Sequence, residues 1–136
     1  MARAGMAAAA LVLATLAAPA FGCGFCIEDK VAAVYDHAAV EGALQRHRHV
    51  AFLALEGPVP DAAAARREIG KALATAAGVE AKSLRLSIES SSMSVTYDPK
   101  RITPDDLVAA LNRGLRASNL SVTILQVKDG TEKPKV

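Results

Sequence analysis

Leu84-Arg85-Leu86-Ser87-Ile88-Glu89-Ser90-Ser91-Ser92-Met93-Ser94-Val95-Thr96-Tyr97-Asp98-Pro99 is the stretch that decides the fold. Leu84, Leu86 and Ile88 alternate with Arg85, Ser87 and Glu89, and Met93, Val95 and Tyr97 alternate with Ser94 and Thr96. Successive side chains of a strand point to opposite faces, so this period of two predicts two half-buried strands. The short serine-rich gap between them predicts a hairpin. Asp98-Pro99 ends the second strand, and Thr103-Pro104-Asp105-Asp106 starts a helix. Threonine is the N-cap there, proline takes the first helical position, and two acids occupy the first turn. Leu107, Val108, Leu111 and Leu115 form the apolar stripe of that helix, and Asn119 is its stop.

Outward from this stretch, residues 120–127 alternate again, with Val122, Ile124 and Gln126 on one face and Thr123, Leu125 and Val127 on the other. Upstream, the apolar run from Val50 to Glu56 predicts a buried strand that Gly57-Pro58 ends. Pro58-Val59-Pro60 is a stiff connector. Asp61 then caps an alanine-rich helix with Ala65, Ile69, Leu73 and Ala76 on one face, and Gly78 suits its C-terminal stop. The order from residue 50 is strand, helix, strand, strand, helix, strand. That predicts an α+β fold, a ferredoxin-like βαββαβ sandwich with an antiparallel sheet and two helices on one face. Ahead of it, Cys26 to about Arg46 reads as one α-helix with Ile27, Val31, Val34 and Ala38 recurring at helical spacing and Gly42 as a weak point.

The chain of 136 residues suffices for one domain and its core. Its formal charge of +2, without a Lys/Arg run interleaved with aromatics, argues against nucleic-acid binding. Residues 1–20 read as a secretory signal: Arg3 is the n-region charge, Ala7 to Ala17 the apolar core, and Ala18-Pro19-Ala20 the cleavage site. The apolar run is shorter than the roughly 20 residues that span a bilayer. Cleavage after Ala20 and a periplasmic address follow as expectations. Ala20-Phe21-Gly22-Cys23 also resembles a lipoprotein processing box, with bulky Phe21 where such boxes carry a small residue. Lipidation of Cys23 would tie the protein to a membrane and remove that thiol from other chemistry. The expected layout is a signal at 1–20, a Cys-bearing helical segment at 21–48, the sandwich at 49–127, and a flexible tail at 128–136, where charge meets Gly and Pro.

Cys23 and Cys26 are the only two cysteines. Thiolates are soft ligands and nucleophiles, so a C-x-x-C can hold one soft ion or close one disulfide. A closed zinc site would need two more ligands. Unpaired amides at a helix start stabilise a thiolate at Cys26, whereas Glu28 and Asp29 oppose it. Three readings stand: soft-metal binding, thiol redox chemistry, and a local disulfide or lipid anchor. Cys23-Gly24-Phe25-Cys26 is like the motif of thioredoxin-like oxidoreductases, but those place it after a strand within a βαβ unit. His37, eleven residues beyond Cys26 on the same predicted helix, would stand ~16 Å away and is read as a surface or packing residue. His47 and His49 could reach toward an ion if their segment is extended, although no third ligand is evident. Met93 reads as core. No nucleophile elbow, phosphate loop or paired-acid motif occurs, so no enzyme is expected.

Residues 49–127 resemble the heavy-metal-associated (HMA) domain family of copper and mercury carriers. The resemblance lies in Val95-Thr96-Tyr97-Asp98-Pro99, then Thr103-Pro104-Asp105-Asp106-Leu107 and Leu111. It implies the ferredoxin-like fold, Cu(I) or another soft metal ion as ligand, and a metal-donor or metal-acceptor protein as partner. The chain departs from the family at the ligands. The family carries its C-x-x-C between the first strand and first helix of the domain, where this chain has Glu56-Gly57-Pro58-Val59-Pro60-Asp61. Metal binding therefore rests on Cys23 and Cys26, about thirty residues upstream.

Overall fold

The computed structural model describes residues 26–59 and 61–131. The segment ahead of the sandwich is divided in two: α1 (Ile27–Ala32) and α2 (His37–Gln45). The single predicted helix breaks because Asp36 adopts extended backbone and accepts the Ala39 N–H at 2.8 Å, which makes it the N-cap of a new helix. The buried stripe is therefore Val31, Val34, Val40 and Ala43, whereas Ile27 and Ala38 are exposed.

The sandwich follows as β1 (His49–Glu56), α3 (Ala62–Ala74), β2 (Val79–Ser87), β3 (Ser92–Tyr97), α4 (Pro104–Leu115) and β4 (Ser121–Lys128). All pairings are antiparallel and the strand order is β2-β3-β1-β4, which is the predicted ferredoxin-like arrangement. The predicted caps form. Asp61 accepts the Ala64 N–H at 2.7 Å, and Thr103 accepts the Asp106 N–H at 3.1 Å. Asn112 of α4 holds edge strand β4 by accepting the Val122 N–H at 2.7 Å and donating to the Val122 carbonyl at 3.2 Å.

Both faces of the central strands are buried. Ala51, Leu53 and Leu55 of β1 join Met93, Val95 and Tyr97 of β3 beneath α3 and α4, with Ile69, Leu73, Leu107, Leu111 and Leu115. Val50 and Phe52 meet Val31, Val34, Val40 and Ala43 on the opposite face. The N-terminal helices thus form a third layer, and Ser92, Ser94 and Thr96, which the alternation assigns to the polar face, lie buried under it. Tyr35 stacks on Phe52 with ring centroids 5.9 Å apart.

β2 begins earlier than the alternation suggests. Val79 and Glu80 pair with Tyr97 and Thr96, then Arg85 pairs with Ser94. Five steps along β2 match two along β3, so residues 81–84 bulge. The Ser83 hydroxyl fills the gap by accepting the Thr96 N–H at 2.7 Å and donating to the Glu80 carbonyl.

Candidate metal centre

Cys26 is the residue from which α1 springs. Its backbone is extended (φ −68°, ψ 143°), its carbonyl accepts the Lys30 N–H at 3.1 Å, and its side chain is exposed, free of a disulfide and makes no cap. Lys30 lies one turn further along. Its ammonium donates to the Ser90 carbonyl at 2.7 Å, in the turn between β2 and β3. Beside that turn β1 finishes, where the Leu55 N–H donates to the Ser91 carbonyl at 2.8 Å. Through the Lys30 side chain, α1 is therefore tied to the end of the sheet from which the β1–α3 connection leaves.

Cys23 lies outside the described residues, as do the signal segment, the Ala20 cleavage site, the lipidation box, Pro60 and residues 132–136 of the tail. The geometry between the two thiols is therefore not part of the structure.

The histidines do not converge. His37 opens α2, exposed, beyond the break at Asp36, so the straight-helix separation from Cys26 does not apply. His47 takes a left-handed turn (φ 57°) and is exposed. His49 starts β1 and sets its ring edge on Tyr97, centroids 5.7 Å apart at 84°. His49 is thereby a packing residue. Met93 is fully buried, as its alternation predicts. Among the described residues, no three His, Cys, Asp or Glu side chains gather where they could hold a metal ion.

Charged groups around the layer serve docking. Arg48 pairs with Asp98 at 2.6 Å and with Glu80 at 3.7 Å, and Arg46 reaches Glu80 at 3.2 Å. The Lys100 N–H, followed by the Arg48 guanidinium, holds the Asp98 carboxyl below the usual carboxylate range. Burial, assisted by the charge of Asp129, pushes the Tyr97 phenol up. The sequence signals missed here were the acceptor at Asp36 and the arginines at 46 and 48, which look like an ordinary solvated helix end.

No family model and no curated protein matches the chain. Among solved structures it is similar to a copper-binding domain from HMA7, a P-type ATPase, at 16% identity over 58% of this chain and 96% of that one, with a TM-score of 0.47. It is also similar to oxidized MerP from Ralstonia metallidurans CH34, at 18% identity, 58% and 99% coverage, and a TM-score of 0.46. A third likeness is to the N-terminal domain of a potential copper-translocating P-type ATPase from Bacillus subtilis in the Cu(I)-loaded state, at 22% identity, 63% and 98% coverage, and a TM-score of 0.47. The ferredoxin-like assignment stands on the chain's own strand order and antiparallel pairing.

Proposed function

We propose that this chain is an exported soft-metal carrier that holds Cu(I), or a related heavy-metal ion, between the thiolates of Cys23 and Cys26. One observation carries the reading. The exposed, unbridged Cys26 opens a helix that Lys30 ties to the sheet end where the β1–α3 connection begins. In this reading the C-x-x-C, though displaced in sequence, stands in for the ligands that a carrier of the resembling family bears on its first strand–helix connection, and the Lys30 tie supports it. Thiolates select soft ions, and two-coordination leaves Cu(I) open to a third thiolate from an acceptor protein. That suits delivery or sequestration rather than catalysis.

The address in this reading is the periplasm, after cleavage behind Ala20. Membrane association requires lipidation of Cys23, and intact mass of the exported protein distinguishes the two. The runner-up, thiol–disulfide exchange, shares the exposed thiol at a helix start. Such enzymes carry the motif within a βαβ unit, whereas among the described residues α1 is followed by α2 and only then by β1. Titration of the reduced protein with Cu(I) tests the proposal, with one ion per chain as the expected end point.

A further inference from the structure

We infer that the cleft between α2 and the bulged edge strand β2 is a binding site for a small organic carboxylate. The cleft holds ≈ 270 Å³. It exists because residues 81–84 lift away from β3 while the N-terminal layer leans on β1. Its two walls are joined by ion pairs, Arg46 with Glu80 at 3.2 Å and Arg85 with Asp36 at 3.1 Å. Each pair holds α2, or the residue that caps it, at a fixed spacing from β2.

Lys82 rises from the bulge into the lining of the same cleft, exposed and with no ion pair or hydrogen bond among the described residues. The lining then carries three cations, Arg46, Lys82 and Arg85, against two carboxylates, Asp36 and Glu80. The surplus charge is positive and sits on the one group without a partner.

The floor supplies the second observation. Thr96 lines the cleft at 7% exposure, and its hydroxyl has no hydrogen-bond partner among the described residues. The neighbouring hydroxyls are committed: Ser94 donates to the Val34 carbonyl, and Ser83 bridges Thr96 and Glu80. The Thr96 hydroxyl is thus left to water, or to a ligand oxygen that replaces it. Val34, Val40 and Leu84 provide apolar walls. A cation at the mouth, aliphatic walls and one hydroxyl below fit a carboxylate on a short hydrocarbon body. The volume lies just below the usual range for ligand sites, which limits the ligand to a few carbons. This site is independent of the cysteine pair.

Butyrate is the probe, with butylammonium as its charge-reversed control, read by amide chemical shifts of the reduced, metal-free protein. Butyrate should shift the amides of Lys82, Leu84 and Thr96 saturably, and butylammonium should not. Lys82→Glu should weaken butyrate binding at least tenfold without moving the unfolding midpoint, since the side chain makes no ion pair or hydrogen bond among the described residues. Thr96→Val should weaken it about threefold. Equal shifts with butylammonium, an unchanged butyrate isotherm in Lys82→Glu, or no saturable shift with butyrate overturns the inference.

Discussion

Ser94 donates its hydroxyl hydrogen to the carbonyl oxygen of Val34 at 3.2 Å, joining positions sixty residues apart. The bond crosses from the sheet to the segment between α1 and α2, in a place closed to water. Ser94→Ala leaves that carbonyl unpaired and should cost about 1–3 kcal/mol. Amide exchange should rise in α2 more than in α3. An unchanged urea midpoint would show that the N-terminal layer does not depend on this bond.

Phe52 faces the N-terminal layer, is fully buried and stacks on Tyr35. Phe52→Ala removes the largest side chain of the smaller core and should destabilise the protein by about 3–5 kcal/mol. Tyr35→Ala removes only the partly exposed partner and should cost clearly less. Equal losses in thermal unfolding would mean that Phe52 is not anchored where the stacking places it.

Gly57 opens the β1–α3 connection at φ 113°, a backbone region that residues with a Cβ rarely adopt. A Cβ there would also run into the Asn119 carbonyl. Gly57→Ala should destabilise the fold by more than about 1 kcal/mol. The matching change at Gly70, where a Cβ meets nothing within 4 Å, should be neutral or stabilising. Similar midpoints for the two variants would contradict the geometry of this connection.

The sandwich was legible because its signals are local. The alternation of Met93, Val95 and Tyr97 and the cap at Thr103 each act within a few residues, and both formed as read. The third layer was hidden because Ser94 and Thr96 are polar, and a polar alternate face reads as solvent-facing until something docks on it. Asp36 was hidden because a capping acid inside an alanine-rich run looks like surface decoration. Val79 and Glu80 carry no alternation, and their strand is held through a serine side chain instead of a regular ladder. For the candidate site, the candidacy of Cys26 rests on spacing alone. Its tie to the β2–β3 turn through Lys30 joins positions sixty residues apart, beyond the reach of local pattern.

Asp98 accepts the Lys100 N–H at 3.0 Å and pairs with Arg48 at 2.6 Å. Its folded pKa lies below the unfolded value, with the Lys100 N–H as the largest cause. Its contribution to stability is therefore complete above the ordinary aspartate value of about 3.9 and is lost as pH falls through the folded value. Asp98→Asn should lower stability at neutral pH and flatten the acid limb of the urea-midpoint profile below about pH 4. An acid limb as steep as that of the parent protein would remove Asp98 from the account.

Cu(I) binding to the reduced protein, measured in competition with a chromophoric chelator, tests the central proposal most directly. One ion per chain is expected. Cys23→Ser and Cys26→Ser should each abolish most of the affinity, because two-thiolate coordination is lost rather than weakened. His47→Ala and His49→Ala should change it little, since His49 packs on Tyr97 and His47 stands in an exposed turn. The contradicting result is a reduced protein that binds no Cu(I) yet catalyses disulfide exchange with glutathione through one cysteine that titrates well below about 8.5.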